Sequence, residues 1–159
     1  MANVSKRPRT DTASRTIAAS PQTIYRAFLD PEAWVTWLPP AGMAGEILAF
    51  DAREGGTYRM ALIYDQPDHA AIGKTSEHAD VIEGVFVELA PDRHVIQAVN
   101  FVSEDPAFAG EMHMTWSLER VAGGTAVRIT CENVPEGIRP EDHDAGLRST
   151  LGKLAAFVE

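Results

Sequence analysis

The chain has 159 residues, 45% of them apolar and 23% charged, and a formal net charge of −9. That length suits one domain with a real hydrophobic core, and the acidic balance argues against nucleic acid or an anionic membrane as partner, since both need clustered Lys and Arg. Cys131 is the single cysteine, which excludes an internal disulfide and a Cys-based metal site and fits a reducing compartment.

Residues 1–10, with the basic run Lys6 to Arg9, read as a disordered polar tail, and 11–159 as a single domain. Thr12 to Ala19 reads as a first strand anchored by Ile17. Ser20 can accept from free backbone N–H groups and Pro21 suits a first helical position, so a helix starts there. Its apolar face is Ile24, Ala27 and Phe28. Asp30-Pro31 repeats the device for a second short helix, with Trp34, Trp37 and Leu38 on one face. Pro39-Pro40 ends it, and Gly42 and Gly45 read as a loop.

The period then changes. "EILAFD" (46–51) reads as a strand and residues 53–56 as a turn. The next run alternates, with Tyr58, Met60, Leu62 and Tyr64 on one side. Residues 65–80 read as a long surface loop. Four further strands follow, separated by Pro91-Asp92, a loop at 104–110 and a turn at 122–124, which makes neighbours antiparallel. From Pro140 to Glu159 a helix of about 30 Å is expected. Leu147, Leu151, Leu154 and Val158 form its apolar stripe, with His143 and Thr150 on or near it. The fold class predicted is α+β: a twisted antiparallel sheet of about seven strands wrapped around a long C-terminal helix, with two short helices after the first strand.

The segments "SPQTIYRAFLDPEAWVTWLPP", "DAREGGTYRM", "EGVFVELAPDRHV", "MTWSLERVAGGTAVRIT" and "DHDAGLRSTLGKLAAFV" resemble the START-like helix-grip superfamily often called SRPBCC. Within it they are most similar to the family named for the activator of the heat-shock-protein-90 ATPase. The resemblance implies a seven-stranded sheet gripping the last helix around an apolar cavity. Members commonly carry a Gly-Trp pair in that helix; here Gly146 precedes Leu147, so that wall is aliphatic. The family includes chaperone cofactors, cyclase-like proteins and many of unknown role. The eukaryotic activator carries a second domain for which this chain has no room, which weakens the chaperone reading.

No nucleophile elbow, H-E-x-x-H, P-loop or dinucleotide fingerprint is present, so no catalytic residue is assigned. His69 and His78 fall in the polar loop, His94 beside a turn, and His113 on the outward parity of its strand. His143 lies one turn before Leu147 and near a helix N-terminus, where the dipole disfavours a positive charge. Two readings stand for it: a neutral imidazole orienting a polar ligand group, or a structural histidine bonding a backbone carbonyl. Asp142-His143-Asp144 gives no metal site, because adjacent side chains on a helix diverge. Neither metal nor cofactor is expected.

The candidate ligand contacts are Trp34, Trp37 and Leu38 on the second helix, and Tyr58, Met60 and Leu62 on the strand after the 53–56 turn. Gln97, Phe101, Met112, Met114 and Trp116 join them from later strands, and His143, Leu147 and Leu151 from the last helix. Met and aromatic side chains fill irregular space adaptably, which suits a cavity. Glu83 shares parity with Val81 and Val85, while Ile82 and Phe86 claim the other face, so its direction is open.

The function expected is binding of a small, largely apolar molecule between the last helix and the sheet, entering near Trp34, Trp37 and the 65–80 loop. Alternatives are a polyketide-cyclase-like enzyme using His143, Glu83 or Gln97, and a chaperone-associated stress protein. A homodimer through a sheet edge stays open. With no membrane-length apolar run and no secretory signal, a cytoplasmic location is expected.

Overall fold

The computed structural model describes residues 9–39, 42–64, 79–103 and 105–159. Among them seven strands form one antiparallel sheet: β1 (Thr10–Ile17), β2 (Met43–Phe50), β3 (Thr57–Tyr64), β4 (Ala79–Ala90), β5 (His94–Phe101), β6 (Met112–Val121) and β7 (Gly124–Glu132). The spatial order is β1-β7-β6-β5-β4-β3-β2. Strands β2 to β7 are therefore a meander, and β1 closes its far edge by pairing with β7. The helices are α1 (Pro21–Ala27), α2 (Pro31–Trp37) and α3 (Pro140–Val158).

Since β1 and β2 occupy opposite edges, α1 and α2 must cross from one edge to the other, and they do so against α3. Register shifts between Ile47 and Ala49 and between Phe86 and Glu88 mark bulges in β2 and β4. Such bulges bend a strand and increase its twist, which helps the sheet curl. They also turn Leu48 and Val87 to solvent. Buried Leu147, Leu151, Leu154 and Ala155 run along α3 and join the core.

Seven-residue helices are marginal alone, and this fold ties both ends of each. Ser20 Oγ accepts from the Thr23 N–H at 3.1 Å, and Asp30 Oδ1 from the Glu32 N–H at 3.0 Å. At the end of α1 the carbonyls of Ala27 and Phe28 accept from the indole N–H groups of Trp37 (3.0 Å) and Trp34 (2.9 Å). Just past α2, the Leu38 carbonyl accepts from Thr150 Oγ1 (3.0 Å) and that of Pro39 from Lys153 Nζ (2.7 Å). Side chains thus satisfy carbonyls that helix ends leave orphaned.

Several boundaries move from the expectation. β1 starts at Thr10 rather than Thr12 and ends at Ile17. Arg9 and Thr10, assigned to the tail, are structured: Thr10 pairs with Glu132, and Arg9 bonds Asp11 and the Ile138 carbonyl. Gly45 lies inside β2 rather than in a loop. A side chain there would run into Pro39 and Met60, so glycine permits the close approach of strand and chain. The loop expected at 65–80 lies outside the described residues, apart from Ala79 and Asp80, which begin β4.

Candidate functional site

Between α3 and the concave face of the sheet lies a cavity of about 400 Å³. The sheet supplies Tyr58, Leu62, Gln97, Phe101, Met112, Met114 and Trp116 from alternate positions on β3, β5 and β6. Trp34 and Leu38 close one end from α2 and its C-cap, and His143 and Leu147 form the helix wall. Each of these was singled out from sequence parity or helical spacing.

Trp37, Met60 and Leu151 were also expected there, and do not line the cavity. All three are at most 1% exposed and pack into the surrounding core. Trp37 is spent on two ring contacts, with Phe28 (4.9 Å between centroids) and Trp116 (5.6 Å). Only Trp34 of the α2 pair reaches the cavity, edge-on to Tyr58 at 4.9 Å and Phe50 at 5.0 Å. Both indoles are fully buried, so neither gates an opening. Among the described lining residues, Arg139 and Asp142 at the start of α3 are exposed. The entrance was expected near Trp34, Trp37 and the 65–80 loop, and residues 65–78 of that loop lie outside the described residues.

The sequence reading missed Ile82 and Val99, which strand alternation could have added. Asp142, Gly146 and Thr150 share an i, i+4, i+8 row on α3 that helical spacing also allows. Phe108, on a 3-10 turn at Pro106–Phe108, and Ile138, before α3, come from irregular segments that carry no periodic signal.

Polar groups at the cavity divide into bonded and open ones. Thr150 is satisfied by the Leu38 carbonyl. The indole N–H of Trp116 donates to Gln97 Oε1 at 3.1 Å. An indole N–H can only donate, so this bond fixes which end of the Gln97 amide is oxygen. Gln97 is 4% exposed and Tyr58 3%. Burial pushes the Tyr58 phenol above its ordinary pKa, so it stays protonated.

The His143 side chain bonds a carboxylate rather than a backbone carbonyl. Its Nδ1 lies 2.7 Å from Asp11 Oδ2 on β1. Arg9 pairs with the same carboxylate, Nη2 to Oδ2 at 2.8 Å and Nε to Oδ1 at 3.2 Å. Burial raises the Asp11 pKa, but the hydrogen bonds and charges of Arg9 and His143 outweigh it and hold the carboxyl below its ordinary value. An ionised carboxylate only accepts, so Nδ1 carries the proton. The triad ties β1 to α3, and among the described residues Nε2 is left as the open ring nitrogen.

Glu83 faces outward: it is exposed and ion-paired with Arg59, its cross-strand partner. Ile82 and Phe86 take the inner face. His113 is exposed beside Glu111, and His94 is half-buried against Glu88 at 2.6 Å. His69 and His78 lie outside the described residues. Cys131 is fully buried, and burial, then the Asp11 charge, push its thiol up to about 12. Among the described residues no three His, Cys, Asp or Glu side chains are placed to hold a metal ion, and no helix is long and apolar enough to cross a membrane.

A curled seven-stranded antiparallel sheet closed on a long C-terminal helix is the α+β helix-grip fold. The chain belongs to the Activator of Hsp90 ATPase homolog 1-like protein family, whose model matches residues 18–159. It is similar to the crystal structure of protein CV1439 from Chromobacterium violaceum, at 33% identity and a TM-score of 0.83, over 94% of this chain and 96% of that one. The fold also matches a protein from Rhizobium leguminosarum (19% identity, TM-score 0.72, 95% and 94% covered). A third match is the AHSA1-like protein from Aeromonas hydrophila (14%, 0.69, 94% and 92%). No curated protein matches the chain.

Proposed function

We propose that this protein binds a small, largely apolar molecule in the cavity between α3 and the sheet. One observation carries the reading: about 400 Å³ of space is walled by Trp, Tyr, Phe, Met and Leu side chains, with few polar groups. Ligand sites have this size and composition, with a few placed polar atoms for orientation. The family supports it, since helix-grip proteins of this kind often bind hydrophobic ligands.

Thermal shift against a panel of apolar compounds, with native mass spectrometry of gently purified protein, tests the reading. A ligand at 100 times its Kd stabilises the folded state by about 2.7 kcal/mol. Leu147→Trp narrows the cavity from the helix wall and should change which compounds give a shift. A panel that gives no shift, or a pattern of shifts that Leu147→Trp leaves unchanged, counts against the cavity as the site.

A second reading, proton transfer on the bound molecule, is favoured by the Asp11–His143 pair, which holds one imidazole nitrogen protonated beside the cavity. Glu83, on the outer face, takes no part. The molecule recovered from the protein would exchange hydrogen for deuterium in D2O with wild type and not with His143→Gln. No exchange with wild type removes this reading.

A further inference from the structure

We propose that the molecule bound here carries a neutral carbonyl oxygen on an otherwise apolar body, and that Gln97 Nε2 and the Tyr58 hydroxyl bind that oxygen. The proposal rests on the cavity being a ligand site, as argued above.

The first support is a donor with nowhere else to go. Trp116 occupies the oxygen of the Gln97 amide, which turns Nε2 away from the indole. Among the described residues Nε2 has no hydrogen-bond partner, and no fully buried side-chain nitrogen or oxygen lacks one. The unbonded Nε2 must therefore touch open space. Gln97 is 96% buried and lines the cavity, so that space is the cavity.

The second support is the placement of Tyr58. Its hydroxyl also has no partner among the described residues, and the side chain also lines the cavity. The ring tip lies over Gly84: a Cβ there would come within 2.3 Å of the ring and 2.4 Å of the hydroxyl oxygen. Gly84 pairs with Tyr58 on one side and Val99 on the other, and Val99 is two residues from Gln97. The absent side chain at 84 is what lets the Tyr58 hydroxyl reach across β4 towards the strand that bears Gln97.

The chemistry follows from what the two groups offer. Nε2 donates only, and a protonated phenol donates well, so their common partner is an acceptor. The rest of that wall is Leu62, Val99, Phe101, Met112 and Met114. The basic side chains that line the cavity, Arg139 and His143, come from the α3 side. A carboxylate against the sheet would be desolvated without a charge partner there, whereas a ketone, ester or amide oxygen would not.

The test uses two probes of one shape, 2-acetylnaphthalene and 2-ethylnaphthalene, with 2-naphthoate as the anionic third, titrated calorimetrically. Wild type should bind the ketone about tenfold tighter than the ethyl compound. Tyr58→Phe and Gln97→Met should each cut that preference to about threefold, and the double variant should abolish it. Equal affinity of the ketone and ethyl probes for wild type overturns the proposal and leaves apolar binding standing. So does tighter binding of 2-naphthoate than of the ketone. Binding of no probe removes the cavity reading and the proposal with it. Should Gln97→Met not fold, Tyr58→Phe decides alone, and an unchanged preference in that variant overturns the proposal.

Discussion

Gly84→Ala is the sharpest test of the packing behind the cavity. The added methyl would sit 2.3, 2.4 and 2.7 Å from three atoms of the Tyr58 ring tip, well inside van der Waals contact. The ring can retreat only towards the cavity, because Trp34 and Phe86 block it elsewhere. Trp34 packs edge-on against it at 4.9 Å and Phe86 at a tilt at 5.1 Å, and all three side chains are at most 3% exposed. Overpacking of this kind costs about 1–3 kcal/mol. For a chain of this size that lowers the melting midpoint by roughly 3–9 °C. Urea denaturation followed by tryptophan fluorescence measures it. The comparison should be repeated in a Tyr58→Leu background, where the obstructing ring is gone. There Gly84→Ala should be neutral or stabilising by about 0.5–1 kcal/mol, because Ala loses less backbone entropy than Gly on folding. A Gly84→Ala protein as stable as wild type refutes the argument. So does an undiminished penalty in the Tyr58→Leu background.

Three further outcomes are expected. Asp11→Asn should cost about 1–2 kcal/mol at pH 7 through weakened bonds to Arg9 and His143. The folded pKa of Asp11 lies below its unfolded value, so its contribution is complete above about pH 4 and is lost as pH falls through the folded value. Acid-dependent urea melts should show the gap between variant and wild type closing below pH 4, and a gap that persists contradicts the triad. Cys131, fully buried with its thiol pushed up to about 12, should react with a thiol reagent at pH 8 only as fast as the protein unfolds; immediate labelling would show the site is open. Gly146→Ala should stabilise by about 0.5–1 kcal/mol by thermal melt, since a Cβ there meets nothing within 4 Å and Ala is the better helix former; destabilisation would mean that this side of α3 is not open.

Much of the architecture was legible because it is written in local patterns. Ser20-Pro21 and Asp30-Pro31 specify two helix starts through cap chemistry that needs no tertiary context. Alternation on β3, β5 and β6 placed Tyr58, Gln97 and Trp116 on the inner face, and spacing on α3 placed His143 and Leu147 towards the sheet. The family resemblance supplied the idea that a gap lies between these faces, and the family match bears out the membership.

Periodicity says which way a side chain points, but not how far the opposite wall lies. For that reason Trp37, Met60 and Leu151 shared the parity of true lining residues and still belong to solid core. Glu83 was undecidable because apolar residues sit on both faces of β4. Its ion pair with Arg59 could be read only once the β3–β4 register was known. The clamp of Arg9, Asp11 and His143 spans more than 130 positions of the chain, and no local pattern joins its members. Segment type, inward parity and the fold class came from sequence, because caps, turns and alternation act over a few residues. Which inward side chains border empty space and which donors are left open came from tertiary structure alone, because each depends on how closely distant elements approach.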